Sequence, residues 1–324
     1  MMQKNIRLIV FLIAAVAVIS GCSLSKDTSK TTDLTSKEKD QEAALQVVTT
    51  FYPMYDFARN VAQEQANVSM LIPAGTEPHD FEPSAKMIAQ IEEADVFIYN
   101  SEEMETWVPS VLKAIDTDKV TVVNASEGID LIQSEEDSAE IGHEAEVGHT
   151  HTVDPHVWLD PVLAQQETDN IEAGLSKADP AHAEDYQVNA QHYKEQLSQL
   201  DHKFQEAFAG ADKRIFVTQH AAFAYLAKRY DLTQIAIAGL SPEIEPSPSI
   251  LAELAGFVKE NDIHYIYYED SASSATSKTL ANETGLELET LSPIEGVSEA
   301  DQKAGVDYIK VMEQNLEALK KSIH

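Results

Sequence analysis

Three of the 11 histidines in this 324-residue chain stand in loops where a metal ion would find them. His79 follows the apolar pair Leu71-Ile72 in the loop Thr76-Glu77-Pro78-His79-Asp80-Phe81-Glu82-Pro83. His156 sits in Asp154-Pro155-His156-Val157-Trp158-Leu159-Asp160-Pro161, just ahead of a helix. His220 follows the run Ile215-Phe216-Val217-Thr218 and precedes another helix. Imidazole is a good ligand for zinc, copper, iron and nickel. One such histidine alone is more often a satisfied loop residue or a helix cap than a ligand. Three at positions of one kind point to a shared metal. The chain has a single cysteine, Cys22. A structural disulfide and a cysteine zinc cluster are therefore excluded, which leaves a histidine–carboxylate site as the available zinc chemistry. The other histidines read differently. His182, His192 and His202 belong to the solvated face of a long helix, and His264 and His324 carry no motif. His143, His149 and His151 lie in a loop among six acids, Glu135, Glu136, Asp137, Glu140, Glu144 and Glu146. That loop reads either as a weak, mobile zinc collector or as a solvated insertion whose composition predicts disorder with or without metal.

The elements that must hold the three loops follow an α/β pattern. Strands are expected at 45–50, 68–72, 96–99 and 120–123, separated by helices at 54–65, 84–93 and 104–115. Strands alternating with helices of about ten residues indicate parallel sheet. The alternation breaks in the polar, acidic loop 126–155. Asp160-Pro161 opens a helix, with Asp as cap and Pro in the first turn. Asp179-Pro180 opens a second, and from Ala181 to Phe208 there is neither Gly nor Pro. Tyr186, Tyr193, Leu197, Leu200, Phe204 and Phe208 recur there at three or four, the mark of a long amphipathic helix. Strands at 215–218, 235–238, 265–268 and 286–291 then alternate with helices at 221–230, 249–260 and 274–284, before a terminal helix at 304–322. The expected fold is α/β: two parallel-sheet (β/α) lobes joined by one long α-helix, with a metal site in the cleft between them. Ligands of open α/β sheets bind at the carboxyl ends of strands, where His79, His156 and His220 are expected to lie.

The N-terminus carries a targeting signal. Lys4 and Arg7 precede Leu8–Ile19, an unbroken apolar run of twelve that is too short for a comfortable membrane span and fits a secretory signal. Ile19-Ser20-Gly21-Cys22 resembles the bacterial lipobox, which implies lipid on Cys22 and a body outside the cytoplasmic membrane. Residues 23–44 are polar and read as a flexible tether. The expected domains are a signal peptide at 1–21, a tether at 22–44, an N-terminal lobe at 45–179, a linking helix at 180–210 and a C-terminal lobe at 211–324. The chain has 23 basic and 55 acidic side chains, a net charge of −32. Such a surface repels nucleic acid and keeps a protein soluble and monomeric. Its 43 % hydrophobic and 24 % charged content is ordinary for a globular protein.

Four segments together carry a family resemblance: Pro78-His79-Asp80-Phe81-Glu82-Pro83-Ser84, Asp154 to Pro161, Thr218-Gln219-His220-Ala221-Ala222-Phe223-Ala224-Tyr225-Leu226, and Gly239-Leu240-Ser241-Pro242-Glu243-Ile244-Glu245-Pro246-Ser247. In this order they resemble the substrate-binding lipoproteins of zinc and manganese ABC importers, over essentially everything from Leu45 onward. The resemblance implies Zn2+ as a transported ligand, an importer permease and its ATPase as partners, and His79, His156 and His220 as imidazole ligands. It places the fourth ligand, a carboxylate, at Glu295 in Leu291-Ser292-Pro293-Ile294-Glu295-Gly296. Relatives often have Asp there. Glu269 is the alternative, because it too is a carboxylate at a strand end. Manganese-type relatives commonly carry a carboxylate where His220 stands. Three imidazoles and one carboxylate suit zinc better than manganese. Asp80, Glu82, Asp154 and Glu243 are the acids expected to hold the far ring nitrogens.

A binding protein is the expected class, since four protein ligands close a tetrahedral zinc and leave no position for a reactive water. The manganese-binding counterpart of the same family is the alternative. A secreted zinc hydrolase would use the three histidines plus water, with Glu295 as base, but no His-Glu-x-x-His helix is present. Adhesion is open to any surface lipoprotein and has no direct support in the sequence.

Overall fold

The computed structural model describes residues 44–133, 153–241, 247–269 and 275–324. Cys22, the apolar N-terminal run, His143, His149, His151 and Glu243 lie outside them. The elements run β1 (Leu45–Thr49), α1 (Tyr52–Ala62), β2 (Ala66–Met70), α2 (Ala85–Glu92), β3 (Val96–Tyr99), α3 (Val108–Ala114), β4 (Thr121–Asn124), α4 (Pro161–Ala178), α5 (Ala183–Phe208), β5 (Ile215–Thr218), α6 (Ala224–Arg229), β6 (Thr233–Ala236), α7 (Pro248–Glu260), β7 (Tyr265–Tyr268), α8 (Ala275–Thr284), β8 (Glu287–Thr290), α9 (Glu299–Lys303) and α10 (Tyr308–Leu319). None of the described helices is long and apolar enough to cross a membrane.

The strands form two four-stranded sheets with the same order, β2-β1-β3-β4 and β6-β5-β7-β8. Every pairing is parallel. Val96–Tyr99 is buried at all of its positions, as expected of an inner strand covered on both faces. Thr49 lies opposite both Met70 and Ile98, and Thr218 opposite both Ala236 and Tyr267. The carboxyl ends of each sheet are thus in step, and the loops that carry the chemistry leave from those edges.

Helix α5 has 26 residues, a length of about 39 Å at 1.5 Å per residue. Its buried stripe is the expected one, Tyr186, Tyr193, Leu197, Leu200, Phe204 and Phe208. The first half packs on α1 and α4, with the Phe57 and Tyr193 rings 5.8 Å apart; near the other end Phe204 stacks on Tyr230 at 5.1 Å. One helix therefore serves both sheets. A large apolar core runs from the first sheet through α1, α4 and α5 to α10, and a smaller one, including Val217, Ile235, Leu254, Ile266 and Leu280, lies between the second sheet and α7 and α8. Helix α4 lies so close to β4 that a Cβ on Gly174 would come within 2.2 Å of Val123 Cγ2, so glycine is required there.

Three local expectations need correction. The terminal helix expected at 304–322 starts only at Tyr308, because Gly305 takes φ +82° and Asp307 caps it by accepting from Lys310 N at 2.8 Å, and the short α9 ahead of it was not expected. The helix expected at 104–115 begins only at Val108, because Glu105 folds back to accept from the backbone N–H groups of Asn100 and Ser101, both at 3.0 Å. Pro180–His182 forms a short 3₁₀ turn ahead of α5, so His182 lies off the long helix and meets Asp179 Oδ2 at 2.6 Å. The expected caps Ser84 and Asp160 accept from Met87 N and Val162 N respectively.

Candidate metal centre

Each candidate ligand is fixed by its own segment. His79 lies in the loop after β2, where its backbone N–H donates to Glu77 Oε1 at 3.0 Å. His156 precedes a 3₁₀ turn, and Asp154 Oδ1 accepts from both its backbone N and its ring Nδ1, at 2.9 and 2.8 Å. The preceding carbonyl, Pro155 O, accepts from Asn100 Nδ2 at 2.9 Å, and Glu105 holds Asn100 in turn. His220 stands two residues beyond β5. Its carbonyl accepts from Thr218 Oγ1 at 2.7 Å and from Gln234 Nε2 at 3.0 Å, and its ring Nδ1 bonds Glu269 Oε1. Glu295 lies in the loop between β8 and α9.

The four side chains converge, and all are buried. His79 Nε2 is 3.2 Å from His156 Nε2. Glu295 Oε1 is 3.3 Å from His79 Nε2, 3.4 Å from His156 Nε2 and 3.6 Å from His220 Nε2. Zinc–nitrogen bonds of 2.0–2.1 Å in a tetrahedron give donor–donor edges of about 3.3 Å. The donors are spaced as those edges. His220 Nε2 and Glu295 Oε2 have no hydrogen-bond partner among the described residues. Such buried polar atoms are costly unless satisfied, and a divalent cation would satisfy them.

The electrostatics match that use. Burial pushes Glu295 up, but the facing His156, His220 and His79 rings outweigh it and hold the carboxyl well below its usual range. Burial lowers His79 and keeps its ring neutral, as a metal ligand must be. Burial acts the same way on His220 and His156, but Glu269 and Asp154 respectively outweigh it and raise both. Glu77 is half-buried, and burial together with repulsion from Glu295 pushes it up to about 8.

Of the acids expected behind the rings, Asp154 holds His156, whereas Asp80 and Glu82 are exposed. Glu269, weighed as the alternative fourth ligand, contacts the far nitrogen of His220 and is not among the four converging donors. The parallel pairing of β5 with β7 puts it there, and no local motif announces it. Among the described residues His192, His202, His264 and His324 are exposed, away from the cluster.

The family model described as the periplasmic component A of zinc-uptake complexes matches residues 47–322. The chain belongs to this family. It is 45 % identical over 306 residues to the high-affinity zinc uptake system protein ZnuA of Bacillus subtilis, covering 94 % of this chain and 96 % of that one. It is 47 % identical over 287 residues to the zinc-binding lipoprotein AdcA of Streptococcus pneumoniae, covering 89 % of this chain but only 57 % of AdcA. The crystal structure of the Zn(II)-bound ZnuA-like domain of AdcA superposes with a TM-score of 0.74 at 46 % identity, over 86 % of this chain and 98 % of the domain. The laminin-binding protein Lmb of Streptococcus agalactiae, described as a bifunctional protein with adhesin and metal transporting activity, superposes at a TM-score of 0.76 with 36 % identity, over 86 % of this chain and 99 % of Lmb. These names support the binding-protein class, and none of these relatives is named as a hydrolase.

Proposed function

We propose that this protein captures one Zn2+ outside the cytoplasmic membrane, holds it with His79, His156, His220 and Glu295, and delivers it to an ABC-type importer made of a permease and its ATPase. The observation that carries the reading is the buried set of three imidazoles and one carboxylate, spaced at 3.2–3.6 Å. Zinc is favoured over manganese because the donors are nitrogen-rich. The proposed organisation is a signal peptide at 1–21, a tether at 22–44, lobes at 45–179 and 211–324 and a linking helix at 180–210, with lipid on Cys22 holding a monomer at the membrane. The segment with His143, His149 and His151 is proposed as an accessory zinc collector.

Elemental analysis of the purified full chain, followed by competition titration with zinc and manganese, tests the reading. One zinc per chain and clear preference for zinc are expected. Alanine at His79, His156 or His220 should abolish tight binding in a folded protein; wild-type affinity in all three variants overturns the assignment. Replacing Cys22 with Ser should move the protein from the membrane fraction to the medium. The likeness to Lmb supports adhesion as a second reading, and the absence of saturable binding to immobilised laminin would remove it.

A further inference from the structure

Trp158 stands two residues beyond His156 and is fully buried. Its indole Nε1 donates to the carbonyl of Pro293 at 2.7 Å, two residues before Glu295. Its own carbonyl accepts from the Tyr308 hydroxyl. The indole packs edge-on against Phe51 at 4.9 Å and stands 5.2 Å from the His156 ring. The residue between Pro293 and Glu295 is Ile294, which takes φ +61° and is fully buried. A β-branched side chain rarely adopts that left-handed conformation, and it persists only where the surroundings impose it. From its own lobe the loop is held by Asn315, whose side chain accepts from Ser292 N at 2.9 Å and donates to Ser292 O at 2.7 Å; Ser292 Oγ then accepts from Ile294 N at 3.1 Å. From the opposite lobe it is held by the indole.

We propose that Trp158 is a positioning residue for the fourth ligand: its indole N–H ties Pro293 to the His156 segment, holds the left-handed turn at Ile294 and so aims Glu295 at the three imidazoles. The proposal rests on the zinc reading above. One hydrogen bond thereby joins a ligand of one lobe to a ligand of the other, and the carboxylate stays aligned only while the lobes are together. A merely structural tryptophan would weaken zinc binding by the same factor whether or not Glu295 is a carboxylate. A positioning tryptophan acts through Glu295, so its loss and the loss of the carboxylate should not add.

The test is a double-mutant cycle on the full chain, with zinc affinity measured by chelator competition for wild type, W158F, E295Q and the double variant. Support residues around metal ligands typically govern affinity by about 10–100-fold, so W158F should weaken zinc at least about tenfold when Glu295 is present and less than about twofold in E295Q. The cobalt(II) form of W158F should show weakened visible absorption, as a tetrahedral site opens to solvent. Equal losses in both backgrounds, or no loss in either, overturn the proposal while zinc binding by the wild type stands. A wild type that takes up no zinc overturns the zinc reading and this proposal with it. If W158F does not fold, benzothienylalanine at position 158, which keeps the ring shape and lacks the N–H, enters the same cycle.

Discussion

Glu269 bonds the Nδ1 of His220, leaving that ring's Nε2 turned toward Glu295. Asp154 does the same for His156 from the other lobe, at 2.8 Å. In each case the carboxylate accepts the Nδ1–H, so that the neutral ring has its lone pair on Nε2, and makes that nitrogen a better donor to a metal. Glu269→Gln keeps the shape and removes the charge. We expect zinc affinity to fall by about 10–100-fold, less than for loss of His220 itself. Chelator competition on the two variants checks this; an unchanged affinity in Glu269→Gln would mean that the pair is only a packing contact.

The same carboxylates set the pH response. Burial lowers His220, but Glu269 and Glu295 outweigh it and raise the imidazole well above its usual range, so in the metal-free protein the ring keeps a proton. Zinc binds only the neutral ring and must release that proton. Affinity should therefore climb with pH, by about tenfold per unit for each proton released. Competition titrations between about pH 6 and 8, spanning the normal imidazole value, read the slope directly. A flat profile would rule out a histidine site.

Asp160 and Arg229 make a cross-lobe contact of another kind. Arg229 Nε lies 3.0 and 2.8 Å from the two carboxylate oxygens, and its NH2 group lies 2.7 Å from Oδ2. The carboxylate is buried, while the guanidinium is about a third exposed, at 34 %. Removing one partner of a fully buried pair costs about 3–5 kcal/mol; partial exposure lowers the expectation for Arg229→Gln to about 2 kcal/mol. Asp160→Asn should cost less, because Asn still caps α4 and the freed guanidinium can hydrate. Denaturant unfolding of the metal-free variants ranks them, and equal stability of Arg229→Gln and wild type would show that the pair is worth nothing.

Much of this was readable in the chain. Ser84 and Asp160 announce their helices by side chains that satisfy the next turn, a local signal. His79, His156, His220 and Glu295 sit in short motifs whose order survives without knowledge of the fold. The role of Glu269 was not legible, because it depends on β7 lying beside β5, a pairing between strands that are not consecutive. The left-handed Ile294 was hidden for a related reason: its sequence argues against that conformation, and packing imposes it. The start of α10 at Tyr308 and not at 304 had a local signal in Gly305 and in the cap Asp307.

Glu167 on α4 is fully buried, and neither carboxylate oxygen has a hydrogen-bond partner among the described residues. Burial, with Glu105 and Asp160 nearby, raises it well above the usual carboxylate range. The folded state therefore keeps its proton over a range where the unfolded chain, at about 4.3, has lost it. More protons bound in the folded state mean that stability falls as pH rises above that value, until the folded group also ionises. Glu167→Gln keeps the shape without a titrating group. It should leave stability near wild type at about pH 4 and raise the melting temperature by at least ~2 °C at about pH 7.5, the shift expected of roughly 1 kcal/mol. Thermal unfolding of both metal-free proteins across that range gives the difference curve, in which the background titration of other carboxylates cancels. A constant offset at every pH would mean that Glu167 is ionised in the folded protein and paired by something other than its described neighbours.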